Sequence, residues 1–520
     1  MNRPGKTNRA MQASHAGKHG RGIAACTAIL ATVLAGCAAG PDYQRPDVPG
    51  AAAYTNDAYK ELAEWKPVQP ADALDRGAWW ELFADPVLDD LQKHALASNQ
   101  SLKQAEAQYR QASALVSSAR ASFWPTVSAS LSATRSGRYS SSSGSIVSGG
   151  TVIGGGAGST ISKSYQLPVT ASWEPDLWGS VRRQVEGDVA NAQASAATLA
   201  NTRLSLQATL AQTYFQLRIV DEQKRLLDDT VDAYRRAEQL TENQYKVGVA
   251  ARADVIQAQT QLKSAQVQAI DLGIARAQYE HALAVLVGKT PAEFALAPVK
   301  GFALKPPTIP VGLPSQLLER RPDVAVAERA AAQANAQVGV ATAAWFPSLT
   351  LSASGGYSNS VWSQLLEAPS RYWSLGPRIA ETLFDGGARR AQNAQARAAW
   401  DAAVANYRQV SLAAFQNVED QIAALRILEQ EAQAQGEAVQ LSEQSLKIAT
   451  NQYRAGLVSY LNVVTAQNTA YSNERAAITL LGTRLNDSVG LIKALGGSWR
   501  AQDMREAEAG AASPDGLTGK

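Results

Sequence analysis

Two periods of hydrophobicity alternate along the chain. Apolar residues at helical spacing run from Leu88 to Arg120 and again from Leu317 to Thr342, in segments rich in Ala, Gln and Leu. Each segment is followed by strict alternation, at 127–134 and 349–354, with small apolar residues on one face and Ser or Thr on the other. The pattern predicts a helix and then a two-faced β-strand in both places.

A returning strand is predicted after each of these strands, at 165–174 and at about 373–383. The chain therefore holds two β-hairpins, isolated from each other by helices. The first hairpin loop is 15 residues longer than the second, and the excess coincides with a Ser/Gly-rich segment, 140–158, which predicts a flexible loop. Its glycine run lacks both the GK[ST] and the GxGxxG frame, which argues against a phosphate site.

Long helices are predicted beyond both hairpins, since no proline occurs from Asp176 to Thr290 or from Arg378 to Ser513. A helix from about Arg182 to Lys246 would be roughly 100 Å long at 1.5 Å per residue. Returning helices are predicted at 254–287 and 460–495, after glycine turns. Coiled-coil spacing with two polar interruptions marks one seam of the first long helix: Leu206, Leu210, Thr213, Leu217, Val220, Lys224, Leu227, Val231 and Tyr234.

The two halves of the chain repeat each other. Residues 105–106 and 123–125 recur 222 residues later, and the segment 243–249 recurs 208 residues later as 451–457. Because stable solenoids need at least three stacked repeats, two copies indicate quasi-symmetry within a larger closed assembly.

The strand faces suggest what that assembly is. No segment after the N-terminal region approaches 18 consecutive apolar residues, so any membrane crossing would use strands. Lipid cannot satisfy an open sheet edge and four strands cannot close a barrel, so several chains would have to pool their hairpins. The alternative is a coiled-coil scaffold whose hairpins are merely caps.

Residues 1–36 have the features of an export signal. Five Lys/Arg precede the apolar run Ile23–Gly36, whose 14 residues suit a signal and are too short for a transmembrane helix. The stretch ending at Cys37 resembles the bacterial lipoprotein processing box, in which the cysteine is lipidated; the alternative is an ordinary signal with a chance cysteine. Signal removal leaves 44 basic against 46 acidic residues, so the net charge of +3 becomes about −2 and gives no support for nucleic-acid binding.

Catalytic chemistry finds little support in the sequence. Only His94 and His281 remain after the signal, on separate predicted helices, and no HExxH, GxSxG, Cys/His cluster or P-loop occurs. Acidic residues fall mostly among Arg and Lys on helical faces, where solvated ion pairs are expected. We therefore predict no enzyme activity, no metal and no cofactor apart from a covalent lipid, and no disulfide if Cys37 is acylated.

Several motifs in a fixed order resemble the outer membrane factors of tripartite efflux pumps, in the NodT/OprM-like lipoprotein branch of the TolC-like family. The resemblance covers residues 34–497. Its most specific pieces are Gly40–Pro46, Trp79-Trp80 with Phe83, Asp85-Pro86 with Leu88, Glu319–Asp323 followed by Ala327-Glu328, Leu383–Gly387 and Tyr453–Gly456.

The resemblance implies a mainly α fold with a small β part. Long antiparallel helices would form a periplasmic α-barrel, and four strands per chain would contribute to a 12-stranded outer-membrane β-barrel in a homotrimer. The implied function is a passive, gated outer-membrane channel for small molecules such as drugs. Its partners would be a periplasmic adaptor (membrane fusion) protein, an inner-membrane efflux pump that supplies the energy, and outer membrane lipid. The alternative is a lipid-anchored periplasmic adaptor or coiled-coil scaffold without a pore. Adaptors usually show one helical hairpin flanked by all-β domains, unlike this duplicated pattern.

The same reasoning divides the chain into consecutive regions. They are a lipoprotein signal peptide at 1–36, a lipid anchor and extended tether at 37–85, a first structural repeat at 86–290, an equatorial connector at 291–316, a second repeat at 317–497, and a flexible tail at 498–520.

Individual site residues also follow from the resemblance. The turns around Lys246 and Gly248, and around Arg454 and Gly456, resemble the tips that contact the adaptor, although the glycines also suit simple helix C-caps.

Leu461 resembles the leucine that closes the periplasmic gate; the alternative is an ordinary coiled-coil core leucine. Where family members often have an acid, this chain has Thr465, and Asp254 is the candidate to supply the charge instead. The alternative role of Asp254 is a helix-dipole partner or a solvated residue.

Overall fold

The computed structural model describes residues 39–48, 78–140, 147–148, 151–152, 158–299, 301–302, 304–307, 309 and 320–497 of the 520-residue chain. The predicted signal peptide, Cys37, most of the tether and the C-terminal tail lie outside these residues. Within the described ranges, no helix has the length and apolar character needed for a transmembrane helix.

Helices dominate the described chain. The two longest contain 67 residues each, about 100 Å at 1.5 Å per residue, and each is followed by a helix of 35 residues. These equal lengths agree with the duplication seen in the sequence. The helices are α1 (Pro86–Ser98), α2 (Gln100–Ala121), α3 (Ser180–Lys246), α4 (Arg252–Leu286), α5 (Pro322–Ala343), α6 (Ala388–Arg454) and α7 (Tyr460–Ala494).

A break at Asn99 divides the first predicted helix into α1 and α2. The Asn99 backbone is extended, its Oδ1 accepts the Leu102 N–H at 3.1 Å, and its Nδ2 donates to the Leu286 carbonyl at 2.9 Å. The prediction of one continuous helix from Leu88 to Arg120 was wrong. Leu286, which helps to fix the break, lies 187 residues away and therefore leaves no signal in the sequence around Asn99. In the second copy, α5 begins at the predicted Pro322, with Asp323 in its first turn.

Five of the described strands form one antiparallel sheet with four strand positions. Both β1 (Thr126–Ala129) and β2 (Ser132–Ser140) pair with β5 (Gly158–Trp173), followed in order by β6 (Ser348–Asn359) and β7 (Arg371–Ala380). The hairpins are therefore not isolated, contrary to the sequence expectation. Their pairing through β5 and β6 was not predictable because it joins segments about 190 residues apart.

Pro168 explains the gap between β1 and β2. The Ser130 N–H donates to the Pro168 carbonyl at 3.1 Å, but proline has no N–H with which to return the bond. On its other side Pro168 lies opposite Gly356, where an added Cβ would stand 2.2 Å from the Leu167 carbonyl oxygen. A glycine is needed there because the two backbones approach so closely.

The sheet has the two faces that the alternation predicts. One face carries hydroxyl pairs across the strands, with oxygens 2.7 to 2.8 Å apart: Ser128 with Thr170, Ser136 with Ser162, and Ser354 with Ser374. The other face exposes large apolar side chains, among them Val127, Val169, Trp173, Leu375 and Ile379. Within the part of the chain that the structure describes, no helix covers either face at these positions.

The predicted loop at 140–158 is shorter than expected. Pairing of β2 with β5 continues to Ser140 and Gly158, and β3 (Val147–Ser148) pairs with β4 (Thr151–Val152) inside the segment. The glycine run at 154–157 lies outside the described residues.

The chain divides into two compact units, each built from both copies. The first contains residues 39–44, Ala114–Val189 and Ala332–Asp401, including the sheet. The second contains the described residues of Arg45–Ser113, Ala190–Ala331 and 402–497.

The core of the second unit surrounds the seam predicted for α3. All of its apolar positions from Leu206 to Tyr234 are buried, whereas the interruptions Thr213 and Lys224 are partly exposed. A short helical turn, Trp79–Phe83, and the adjoining α1 bury Trp79, Phe83 and Leu88 against this core. The apolar spacing along α3 thus predicted its buried face correctly.

Candidate functional site

The two predicted tips are turns at the C-terminal ends of α3 and α6. In the first, the Gly248 N–H donates to the Tyr245 carbonyl at 2.9 Å and the Val249 N–H to the Gln244 carbonyl at 2.8 Å. This is a Schellman motif, and it requires the left-handed φ of 79° that Gly248 adopts. The second turn repeats both bonds with Gly456, Tyr453, Leu457 and Gln452, and Gly456 has a φ of 74°.

Both tips expose apolar side chains beside cations. Val247, Val249 and Leu457 are each more than 70% exposed. Lys246 forms an i,i+4 ion pair with Glu242 at 3.1 Å, and Arg454 is also exposed. The predicted tip residues therefore lie at two equivalent turns, with apolar surface available for a partner.

Leu461 lies in the first turn of α7 with 62% of its surface exposed. Its neighbours Tyr460, Val463 and Val464 are buried, and they pack with Ala258 of α4. Leu461 therefore projects from the side of α7 opposite the core and is not a core leucine of this chain. The Thr465 hydroxyl donates to the Leu461 carbonyl at 2.9 Å, so Thr465 lies on the same exposed side.

Asp254 lies in the first turn of α4 and is half-buried. Its Oδ2 accepts the Ala251 N–H at 3.2 Å, which caps the start of the helix. The offset of 208 residues between the copies makes Asn462 its equivalent in α7. Because Ala258 packs with Tyr460 and Val463, the first turns of α4 and α7 lie together, with Asp254 and Leu461 both in this region.

A tyrosine that the sequence reasoning left without a role joins the two tips. The Tyr453 hydroxyl donates to Gln244 Oε1 at 2.6 Å and lies 3.4 Å from the Thr241 hydroxyl. The equivalent residue of the first copy, Tyr245, instead lies beneath Arg252, whose Cζ is 5.7 Å from the ring centroid. The repeated Asn-Gln-Tyr triplet marked both tyrosines, but their different partners depend on the tertiary structure.

The ring of Tyr453 lies 5.4 Å from that of Tyr460. Burial, with smaller contributions from Tyr453 and nearby acids, raises the pKa of Tyr460 to about 12. Tyr460 is therefore a neutral packing group at physiological pH, and Tyr453 contributes the hydrogen bond to Gln244. They connect α6 and α7 to the end of α3.

A buried ion cluster lies further along α3. Arg218 and Asp221 have side chains only 2% exposed, and the Arg218 Nη1 lies 3.3 Å from Asp221 Oδ2. The other carboxylate oxygen of Asp221 accepts from Arg276 Nε of α4 at 2.9 Å. The sequence expectation that acids are solvated partners was wrong for Asp221, because α4 and the following segment cover it.

The ion cluster also holds the segment after α4. Arg218 Nη1 donates to the Ala297 carbonyl at 2.8 Å, and Arg276 Nη2 donates to the Leu296 carbonyl at 2.5 Å. Glu280 pairs with Arg276 at 2.9 Å and accepts the Leu296 N–H at 2.7 Å. Two helices and the predicted equatorial connector are thereby joined through charged groups.

In the first unit, Arg183 of α3 holds the N-terminal segment. Its guanidinium pairs with Asp42 at 2.7 Å and donates to the carbonyls of Ala39 and Gly40 at 3.3 Å. The Ala39 N–H donates to the Trp178 carbonyl at 3.0 Å. Cys37 itself is outside the described residues, but the residues that follow it are fixed beside the start of α3.

The Leu383–Gly387 motif forms the entry to α6. Asp385 accepts the N–H groups of Gly387 at 2.9 Å and Arg389 at 3.1 Å, and it pairs with the Arg389 side chain at 2.7 Å. These bonds, led by the one to the Arg389 side chain, lower the pKa of Asp385 to about 2. Leu383 and Phe384 just before it are at least 90% exposed.

Comparison with known proteins matches both copies. A family model for outer membrane efflux protein covers residues 91–289 and 313–497. Over 478 residues the chain is 33% identical to the probable efflux pump outer membrane protein TtgC of Pseudomonas putida, covering 91% of this chain and 95% of TtgC. It is 31% identical to the pyoverdine export outer membrane protein OpmQ of Pseudomonas aeruginosa, covering 83% of this chain and 89% of OpmQ. The solved structure of the outer-membrane channel OprN has 30% identity and a TM-score of 0.79, covering 89% of this chain and 99% of OprN. The chain therefore belongs to the outer membrane efflux protein family and has its TolC-like fold.

Proposed function

We propose that three copies of this chain form a gated outer-membrane channel of a tripartite efflux system. The observation that carries the proposal is the pair of free sheet edges in the described chain. The strand position of β1 and β2 pairs only with β5, and β7 pairs only with β6. Because an open edge is not tolerated in lipid, each edge is expected to pair with the opposite edge of a neighbouring copy, giving twelve strands in a trimer.

The faces of the sheet suit a barrel of this kind. Its apolar face, with Val127, Trp373, Leu375 and Ile379 each more than 65% exposed, would contact lipid. The hydroxyl face would line a wet lumen.

In the second unit, α3 and α7 are in contact, for example through Tyr234 and Asn468 at 3.1 Å. The flanking helices are α4, which packs on α3 through Leu262 and Ala265, and α6, which is bonded to α7 through Gln435 and the Asn473 carbonyl at 2.9 Å.

Each flanking helix exposes a stripe of apolar residues along one side. The α4 stripe consists of Ile256, Val267, Ile270, Ile274 and Val285, which are 53 to 77% exposed. The α6 stripe consists of Ile427, Ala434, Leu441 and Ile448, spaced by seven residues. Such stripes are typical of helices that pack on a partner, so we pair the α4 stripe of one copy with the α6 stripe of the next.

The partners at the tips follow from the proposed role. A periplasmic adaptor would meet the exposed tips around Lys246, Gly248, Arg454 and Gly456, and an inner-membrane pump would supply the energy. Matching of the family model to both copies supports a channel over the alternative of a periplasmic adaptor or a pore-free scaffold. Leu461 and Asp254 are the proposed gate residues.

Reconstitution tests the channel directly. Purified protein in liposomes is expected to increase permeability to small solutes in a swelling assay and to give discrete conductance steps in a planar bilayer. A scaffold without a pore would leave both readings at the level of empty membranes, which would refute the proposal.

Cysteine pairs on the two helical stripes test the trimer. Val267 is 15 residues after the start of α4 and Leu441 is 13 residues before the end of α6, so their heights differ by about 3 Å. We expect Val267→Cys combined with Leu441→Cys to give covalent trimers on oxidation, seen by non-reducing electrophoresis. The matched control is Gln268→Cys with Leu441→Cys, since Gln268 is exposed but lies about 100° away around the helix. Equal cross-linking of the control pair would contradict the proposed interface.

We further propose that Cys37 carries the lipid anchor, on the basis of the processing box and of the fixed position of residues 39–42 beside α3. Mass spectrometry of the mature N-terminus is expected to find an acylated Cys37, and multiple acyl chains would hold the protein firmly at the membrane. An unmodified Cys37 would refute this. Cys37→Ser is expected still to insert, because the strands themselves would embed the trimer.

A further inference from the structure

The apolar face of the sheet ends in a group of cations on its hairpin side. We propose that Arg135, Lys163 and Arg371 bind the phosphate-bearing headgroups of anionic lipid in the outward leaflet. The proposal rests on the proposed function, because it requires that this face of the sheet contact lipid and that the hairpin ends face outward.

The strand region is basic in a chain of balanced charge. Between Glu106 and Glu174 the sequence contains no acidic residue. The paired segments 126–173 and 348–380 together carry five Lys or Arg and a single acid, Glu367. The strand segments thus carry positive charge that the rest of the mature chain offsets.

The strand register places these cations on the lipid-contacting face. Arg135 lies directly opposite Lys163 across β2 and β5. Lys163 shares its face with Val169 and Trp173, since side chains on one face of a strand are two residues apart. Arg371 shares its face of β7 with Trp373 and Leu375 in the same way.

Two like charges in directly opposite positions destabilise a sheet unless an anion lies between them. Arg135, Lys163 and Arg371 are all exposed, and in the described parts of the chain no acidic side chain forms an ion pair with any of them. The residues between β2 and β5 include no acid that could supply one. The pair is therefore arranged to receive an anion from outside the chain.

The height of the cations matches the edge of a membrane. Lys163 is ten residues from Trp173 along β5, about 33 Å at 3.3 Å per residue. A strand tilt of about 40° reduces this to about 25 Å, the usual height of the apolar band of an outer-membrane barrel. Lys163 and Arg135 would therefore lie where lipid headgroups begin. Arg371 is level with Leu167, four residues nearer to Trp173, so its long side chain would extend along the apolar surface toward the same headgroups.

Two tyrosines lie on the same face between the level of Lys163 and that of Arg371. Tyr165 contacts Trp362 edge to face, with ring centroids 5.4 Å apart. The Arg371 Cζ is 5.8 Å from the centroid of the Tyr357 ring, which lies on the same face. Tyrosine and tryptophan are enriched at membrane interfaces because they combine an apolar ring with a polar group. The ligand is therefore an amphiphile, with acyl chains on the apolar rows and an anionic headgroup among the cations.

Lipid titration of the purified trimer in a neutral detergent tests the proposal. The probes are phosphatidylglycerol, phosphatidylcholine and inorganic phosphate, with binding followed by native mass spectrometry and tryptophan fluorescence. Phosphatidylglycerol is expected to bind more tightly than phosphatidylcholine, and its affinity should fall as salt is added. Inorganic phosphate should not displace it, since phosphate lacks the acyl chains; displacement at similar concentrations would assign the cations to a free anion and overturn the lipid proposal.

The variants make the test specific. Each cation near a lipid surface contributes about fivefold to affinity, so the triple variant Arg135→Gln/Lys163→Gln/Arg371→Gln is expected to weaken phosphatidylglycerol binding about a hundredfold. The matched control is Arg378→Gln, an arginine of β7 that lies opposite Thr350 on the hydroxyl face. Equal weakening by the control, or undiminished binding by the triple variant, would overturn the proposal.

Conductance measurements distinguish a failure of the lipid-site proposal from a failure of the channel proposal. The triple variant should still form trimers that conduct in a bilayer, and absence of conductance from the wild-type protein would count against the channel itself. If the triple variant fails to assemble, the test uses the single variant Lys163→Gln and the salt dependence of binding by the wild type. The headgroup site would be refuted if the affinity for phosphatidylglycerol changed neither with Lys163→Gln nor with added salt.

Discussion

Asp221→Ala is expected to lower the free energy of unfolding by about 3–5 kcal/mol. The Asp221 carboxylate is almost fully buried and accepts from both Arg218 and Arg276. Removing it would leave the buried Arg218 guanidinium without a carboxylate partner, because the Ala297 carbonyl that it also contacts cannot neutralise its charge, whereas Arg276 would keep its pair with Glu280. Denaturant unfolding of the purified protein in detergent measures the effect.

Asp228→Ala is the matched control, seven residues along the same helix. Its partner is Lys224 at 2.6 Å, but both side chains are exposed, at 53% and 40%. Exposed ion pairs contribute about 0 to 1 kcal/mol, so this change should be small. Similar losses for the two variants would show that the ion cluster contributes no more to stability than a surface pair.

Leu461→Ala is expected to raise the resting conductance of the reconstituted channel. In the proposed trimer, three copies of Leu461 would close the periplasmic end by apolar packing and dewetting of a narrow constriction, and alanine would widen it. Because Leu461 is 62% exposed in the chain, the free energy of unfolding should change by no more than about 0.5 kcal/mol. Single-channel recording and denaturant unfolding of the same preparation give both quantities.

Leu485→Ala on the same helix is the matched control, for which we expect a loss of stability and no rise in conductance. Leu485 is fully buried, so its truncation should destabilise the protein by about 2–5 kcal/mol without raising conductance. If Leu461→Ala leaves conductance unchanged, the constriction lies elsewhere along the first turns of α4 and α7. Asp254, whose carboxylate caps α4, would then be the next residue to test.

Local pattern was enough to predict most of the elements. The absence of proline and the 4-3 spacing from Leu206 to Tyr234 predicted a helix ending at Lys246 and its buried side, and both are confirmed. Period-two alternation predicted the hydroxyl and apolar faces of the strands. Gly248 and Gly456 predicted the turns, because a left-handed backbone favours glycine. Each of these signals involves residues that are close in sequence.

Errors arose where the deciding partner is distant in sequence. The break at Asn99 depends on the Leu286 carbonyl, and the interruption between β1 and β2 depends on the missing N–H of Pro168. Pairing of β5 with β6 depends on register between the two copies. The burial of Asp221 depends on α4 and the connector that follows it. None of these contacts leaves a local periodic signal.

The candidate site divides in the same way. The duplication, the glycine turns after both long helices and the position of Leu461 in the first turn of the last helix could be predicted, because they depend on residue order and short-range conformation. The exposure of Leu461, the bond of Tyr453 to Gln244 and the exposed apolar stripes of α4 and α6 could not be predicted and are known from the folded chain. A helix has several faces of similar composition, and which of them is buried depends on the helices that pack against it.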